Sequence, residues 1–309
     1  MLVIALFSAG LIRAAELASR PAQIPFQLHR GHVMVPAQVT NSAPLLLLLD
    51  TGYSMTMLHP EHVTALGLPR TGRRITIVGI AGEEQTDVFE GPLFAFGEAT
   101  WKPRRVAALP GSSPSRRRRD GILGSGFFRR FVVEIDSQSQ QLRLHEPDVF
   151  AYAGGGEILP LRFSGDTPVV EASVRLPDQS ETKARFEIDT GCDGSICIGR
   201  HFVEANRLEP TNNLPGGGRG NRYGVGGAAR THDSHLPQLR LGNVVIDRPE
   251  ASLFLEGSPV DPPLAGHLGW DLLRRFKVIF DYKRARMILG KSPGKPGNSA
   301  VKEPDVSSP

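Results

Sequence analysis

The sequence predicts an all-β protein, mostly strands with short helices, folded as two similar lobes related by a pseudo-twofold axis with a cleft between them. Three observations predict it. Two sequence blocks recur in the same order in each half. Apolar, strand-like segments make up most of the patterned stretches. The 34 glycines and 25 prolines in 309 residues call for many turns.

The repeat is read directly from the chain. LLLLLDTGYSMTMLHPEHVTALGL (residues 45–68) aligns, with one gap, with ARFEIDTGCDGSICIGRHFVEANRL (residues 184–208), and DGILGSGFFRRFVVEID (residues 120–136) aligns with AGHLGWDLLRRFKVIFD (residues 265–281). Between the blocks each half carries a glycine-flanked turn, GIAG at Gly79, Ile80, Ala81 and Gly82, and GVGG at Gly224, Val225, Gly226 and Gly227. The offset between halves is 139 at the first aspartates (189 − 50) and 145 at the later glycines (269 − 124). The turns already show the larger value (224 − 79 = 145), so the extra residues of the second half precede Gly224, most simply in Pro215 to Gly220.

In chain order, residues 1–20 read as a signal peptide or N-terminal apolar segment, because Leu2 to Ile12 is an apolar run of signal length followed by small residues. No Lys or Arg precedes that run. The expectation is export to the periplasm or secretion, with an N-terminal anchor as the other reading. The first lobe is expected at 24–147, a linker at 148–157 around Gly154 to Gly156, the second lobe at 158–291, and a disordered Pro/Gly/Ser/Lys-rich tail at 292–309. Strands are expected at His32 to Thr40, Leu45 to Leu49, Ile75 to Val78, Val132 to Ile135, Gln141 to Leu144, Val169 to Val174, Phe186 to Ile188, Val244 to Ile246 and Val278 to Phe280. The unbroken leucines of 45–49 suit a strand buried on both faces. Short helices are expected at Pro60 to Leu66, Phe127 to Phe131, Arg200 to Asn206 and Leu272 to Phe276, Pro60 fitting a first-turn position.

Composition narrows the function. With 40% apolar and 22% charged residues the chain is globular rather than disordered. The net charge of +4 is concentrated in Arg116 to Arg119, which reads as a solvated loop; a processing site or an anionic docking patch are the alternatives. A nucleic-acid binder is disfavoured because no aromatic residues interleave those arginines. The two cysteines, Cys192 and Cys197, define neither a disulfide framework nor a metal site, and Cys192 reads as a small buried residue. His267 reads as a packed core histidine.

A single Asp-Thr-Gly carries little weight, since about 0.06 copies are expected by chance in a chain of this length. Two copies, each ending an apolar strand and each followed at matching distance by an apolar-Leu-Gly block, are specific. An aspartate at the rim of a core is partly desolvated, which raises its pKa. Two such carboxylates face to face share one proton, an effect for which aspartic proteases are the standard example. The ionised member can act as general base on a water while the protonated member polarises a carbonyl.

At these residues the chain resembles the pepsin/retropepsin superfamily, and most closely bacterial retropepsin-type proteins with two Asp-Thr-Gly units in one chain. The resemblance covers roughly residues 24–147 and 158–291. It implies acid-protease lobes in which Asp50, Thr51 and Gly52 pair with Asp189, Thr190 and Gly191. It implies that Ile122, Leu123 and Gly124, and likewise His267, Leu268 and Gly269, lie beside the catalytic loops. GIAG and GVGG resemble flap tips. Tyr53, Cys192 and His267 depart from the family pattern. The implied function is an aspartic endopeptidase acting on peptide or protein substrates with catalytic Asp50 and Asp189, water as nucleophile, and no metal, organic cofactor or nucleic-acid partner. It is expected to work as a monomer with an intrachain dyad. The alternative is a catalytically inactive peptide-binding module on the same fold.

Overall fold

A computed structural model describes residues 20–110, 119–208 and 218–290. Three sheets organise them. One ten-stranded sheet is built from the first half, a second with the same strand order from the second half, and a six-stranded sheet takes three strands from each. The architecture is the expected one of two similar β lobes.

Leu45–Leu49 shows why the leucine run is unbroken. It lies between His32–Val39, antiparallel, and Gly121–Leu123, parallel, with four of its five residues buried. A strand covered on both faces has no solvent side to alternate toward. Its counterpart Glu181–Asp189 sits between Thr167–Arg175 and Gly266–Gly269 in the same senses.

Helices Pro60–Ala65 and Arg200–Ala205 follow the two Asp-Thr-Gly loops as expected. The other two begin earlier than the apolar pattern indicates, at Ser125–Arg130 and Trp270–Leu273. Gly124 and Gly269 remain extended, and the chain turns into helix directly after them. Phe131 is already extended again, leading into Val132–Asp136.

The six-stranded sheet is the seam between the halves, and no local pattern announces it. At its centre Val133 faces Phe280 and Ile135 faces Val278. Its outer strands are Ala22–Pro25 and Glu157–Pro160, so the expected lobe bounds at 24 and 158 fall inside strands of this seam. The repeated aspartates of the second block close turns here. Asp136 Oδ1 accepts from the amides of Gln138 (3.1 Å) and Ser139 (3.3 Å), and Asp281 Oδ1 accepts from that of Arg284 (3.2 Å). The apolar run Leu2 to Ile12, residues Arg116 to Arg118, the first half of the glycine-rich stretch (215–217) and the tail at 292–309 lie outside the described residues.

Phe280 is fully buried at the seam, with its ring 5.3 Å from Phe128 and 6.3 Å from Tyr282. Replacing it with alanine is expected to cost about 3–5 kcal/mol in urea denaturation, as for other large-to-small core changes. A loss under about 1 kcal/mol would show that the seam contributes little to holding the halves together.

Candidate active site

The two Asp-Thr-Gly loops meet between the lobes and are tied by reciprocal hydrogen bonds. The Thr51 amide donates to Thr190 Oγ1 and the Thr190 amide to Thr51 Oγ1, both at 3.0 Å. Each hydroxyl then donates across the interface, Thr51 to the Ile188 carbonyl (2.6 Å) and Thr190 to the Leu49 carbonyl (2.9 Å). Both threonines are completely buried, so none of these groups has water as an alternative partner. A further tie is His32, whose Nε2 lies 3.0 Å from the Gly191 carbonyl.

This clasp brings Asp50 and Asp189 side by side, with a hydrogen bond between their carboxyl groups. Each also accepts from the glycine of its own loop, Asp50 Oδ1 from the Gly52 amide and Asp189 Oδ1 from the Gly191 amide, both at 2.9 Å. The motif glycines have a second reason to be glycine. A Cβ on Gly191 would stand 2.0 Å from Asp50 Oδ2, and one on Gly52 would stand 2.8 Å from Asp189 Oδ1. Each loop therefore passes beneath the carboxyl group of the other.

The supporting blocks lie where the repeat puts them. Ile122 and Leu123 run parallel beside Leu48 and Leu49, and the Asp50 amide donates to the Leu123 carbonyl at 3.0 Å. His267, Leu268 and Gly269 run beside Glu187, Ile188 and Asp189. Gly124 and Gly269 pass close to the loops; a Cβ would meet the Met55 carbonyl at 2.7 Å in one half and the Gly194 carbonyl at 2.2 Å in the other.

GIAG and GVGG form the tips of two hairpins, Arg70–Gly79 with Gly82–Glu90 and Gly218–Gly224 with Gly227–His235. The tips touch: the Ala81 amide donates to the Val225 carbonyl at 3.3 Å. They also cross. Val225 of the second half joins an apolar cluster of the first, with Met34, Leu48, Met57, Ile77 and Ile122 and with Tyr53 at its edge. Ile80 of the first half packs against the Cys197, Ala229 and Phe254 cluster of the second, which Cys192 also borders. Tyr53 and Cys192, the residues that follow the two motif glycines, thus each border the patch reached by the opposite hairpin.

Three residues differ from their sequence-based reading. His267 is not a core histidine packed among apolar groups. Its Nδ1 lies 3.1 Å from Asp189 Oδ2 and its Nε2 lies 3.1 Å from Glu187 Oε2. Arg119 does not extend into solvent; it is partly buried and interacts electrostatically with Tyr53 and Asp50. Cys192 is only partly buried, with its Sγ 3.4 Å from that of Cys197 and both thiols free.

The electrostatics are asymmetric. Burial, and then the charge of Asp189, push the Asp50 carboxyl well above the usual aspartate range. Burial acts on Asp189 in the same sense. There the hydrogen bond and charge of His267, with the Gly191 amide, outweigh it and hold Asp189 below that range. For His267, burial alone would lower the pKa, but the bonds to Asp189 and Glu187 push it up to about 10. The proton of the pair therefore belongs on Asp50. Cys192 is pushed up by its bond to Cys197 and by burial, so its thiol stays protonated.

Away from the pair, Glu61, His62 and Asp120 bring one ligand-type atom each within 4.8 Å of one another. His62 is bonded to Asp120 Oδ1 at 2.9 Å, and Asp120 Oδ2 accepts from the Leu46 amide at 2.6 Å. The group is accounted for as a hydrogen-bonded knot that fixes the start of the Leu45–Leu49 strand.

Glu187 and His32 were not singled out by sequence reasoning, and Arg119 was read only as part of a solvated arginine run. Glu187 had little signal, since it continues the alternating charged positions Glu181, Lys183 and Arg185 of its strand, and only its alignment with Leu48 sets it apart. His32 had none, because its partner lies 159 positions away.

Two paired carboxyl groups at the head of a duplicated strand-loop unit, closed over by two hairpins, define an acid-protease architecture. Residues 35–127, which include Asp50, the first hairpin and Ile122-Leu123-Gly124, match the family model described as aspartyl protease. Among solved structures the chain is similar to the aspartic proteinase from Irpex lacteus, with a TM-score of 0.56 and 14% identity over 88% of this chain and 98% of that one. No curated protein matches it by sequence. The family match thus covers part of the first half, and the solved structure shares the fold across both halves.

The threonine clasp can be measured. Thr51→Val and Thr190→Val each leave buried amide and carbonyl groups without partners, so each should cost about 1–3 kcal/mol in chemical denaturation. Because the hydroxyls serve each other's loops, the double variant should lose less than the sum. Strict additivity would show that the two threonines act independently.

Proposed function

We propose that this protein is an aspartic endopeptidase whose dyad is Asp50 and Asp189 of one chain. The observation that carries the reading is that the clasped Asp-Thr-Gly loops set each aspartate's carboxyl group against the glycine of the other loop, and the opposite displacements of their proton affinity support it. A dyad works when one member is protonated and the other ionised.

In this reading Asp50 starts protonated and Asp189 ionised. A water held between them attacks the scissile carbonyl carbon and gives a proton to Asp189. The carbonyl oxygen takes the Asp50 proton, leaving a neutral tetrahedral diol. On collapse the C–N bond breaks, the leaving nitrogen takes the proton held by Asp189, and a diol hydroxyl returns a proton to Asp50. Atoms and charges balance, and the starting state is restored. The crossed hairpins support a peptide as substrate. If they lift, they vacate two apolar patches on either side of the dyad, one bordered by Tyr53 and one by Cys192. Peptide side chains flanking the scissile bond would occupy those patches.

The test is hydrolysis of a quenched fluorescent peptide library. Asp50→Asn and Asp189→Asn should each abolish turnover while leaving thermal unfolding near that of the parent; near-normal turnover by either would sink the mechanism. The pH–rate profile should be bell-shaped. Activity is lost on the acid side as Asp189 takes up its proton and on the alkaline side as Asp50 loses its own. A folded protein that binds library peptides without cleaving them would instead be a peptide-binding module.

The intrachain dyad has its own test. In a mixture of inactive Asp50→Asn and Asp189→Asn chains every molecule carries one dead aspartate, so no activity should return. Activity that rises with total protein concentration would show pairing between chains.

A further inference from the structure

The parallel strand pairs that lead to the two aspartates keep the same apolar character except at one pair of positions. In the first lobe Leu48 faces Ile122 across the parallel strands beside Asp50, and both are buried. At the aligned positions of the second lobe Glu187 faces His267 beside Asp189. An apolar cross-strand pair in one lobe is an acid–imidazole pair in the other. The exchange involves both strands at once, as one function requires and as an isolated surface change would not.

The geometry specifies the ring's state. Both nitrogens face carboxylate oxygens at 3.1 Å, and the His267, Glu187 and Asp189 side chains are only 12%, 17% and 15% exposed. A neutral imidazole has one donor and one acceptor, so one of its nitrogens would point a lone pair at a carboxylate. With both carboxyl groups ionised, only the imidazolium satisfies both contacts. The other groups around it are the Cys197 thiol on the strand opposite His267, the Cys192 thiol at the loop, and Asp50 beyond Asp189. Arg222, on the second hairpin, lies near the cysteines but is bonded to Ser252. Arg119 acts from the other side, on Asp50 and Tyr53.

We propose that His267, oriented by Glu187, is a positioning residue that keeps Asp189 the ionised member of the pair, so that the two aspartates have fixed rather than interchangeable roles. This rests on the peptidase reading. Its consequence is that the acid limb of the rate profile lies lower than a dyad without the imidazolium would allow, since a cation in contact with a carboxylate lowers its pKa.

The experiment has two arms. The first needs no turnover: the His267 ring is followed by NMR against pH in the parent and in Asp189→Asn. The proposal expects a parent ring still charged well above the ordinary 6.5 of histidine and a clear fall in its pKa when Asp189 is neutralised. A parent ring that titrates near 6.5 overturns it. The second arm is the pH–rate profile of the Glu187→Leu/His267→Ile double variant, which installs the apolar pair that the first lobe already packs. Its acid limb should move up by about 1 pH unit or more, with Glu187→Gln falling between it and the parent. A folded double variant with an unmoved acid limb overturns the proposal while leaving the peptidase reading intact. A parent that cleaves no peptide removes the peptidase reading and the catalytic part of this proposal, and the NMR arm still decides the ion pair.

Discussion

The structure depends on the reciprocal hydrogen bonds of Thr51 and Thr190. These two side chains set the separation and orientation of the loops that carry Asp50 and Asp189, and they do so across the interface between lobes. Each hydroxyl accepts from the amide of its twin and donates to a carbonyl at the end of the strand leading to the twin's aspartate. Because all four groups are buried, slippage would leave several unsatisfied at once. That makes the arrangement nearly all-or-none. It also explains the motif glycines, which leave room for the opposing carboxyl groups only at this separation.

The shared sheet and the crossed hairpins hold the clasp from opposite sides. Below it, Val132–Asp136 and Lys277–Asp281 join the halves through main-chain bonds and the packing of Phe280. On the other side, Val225 and Ile80 each pack against the opposite lobe, and the hairpin tips are too close for added bulk. Gly226 has φ +85°, and a Cβ there would lie 2.2 Å from the Gly82 amide. The seam is secured by buried area, whereas the hairpin contact rests on a few side chains and one long hydrogen bond. The hairpins are therefore the part of this enclosure that can open without unfolding a lobe.

What was legible in the sequence was whatever is coded locally or by repetition. The Leu45–Leu49 strand, the helix opened by Pro60 and the equivalence of the Asp50 and Asp189 loops follow from apolar runs, turn residues and alignment of the halves. The seam was not legible, because no pattern around Val133 says that Phe280 will lie opposite. The resemblance paired Thr51 with Thr190, but it did not give the exchange in which each hydroxyl accepts from the other's amide. The helix at Trp270–Leu273 was placed two residues late because its start is set by the extended conformation of Gly269 rather than by its apolar positions. His267 was misread for a different reason. A histidine in an apolar context has packing as its default explanation, and the default fails only when Glu187 and Asp189 are seen on the neighbouring strand.

Two like loops whose carboxyl groups meet leave open which of the pair holds a proton. With two equivalent loops, the protonated and ionised forms of each aspartate would be equal in energy, and only a bound substrate could favour one arrangement. Here the environment favours one beforehand. Leu48 and Ile122 leave Asp50 desolvated with no cation contributed from those positions, while Glu187 and His267 set an imidazolium against Asp189. Burial of a lone ion pair is costly when either partner is left short of contacts. In this case Asp189 also accepts from the Gly191 amide and His267 is met at both nitrogens, so the buried charges are hydrogen-bonded as well as paired. The twofold likeness of the lobes thus supplies the geometry of the pair, and the local departure from that likeness distinguishes its two members.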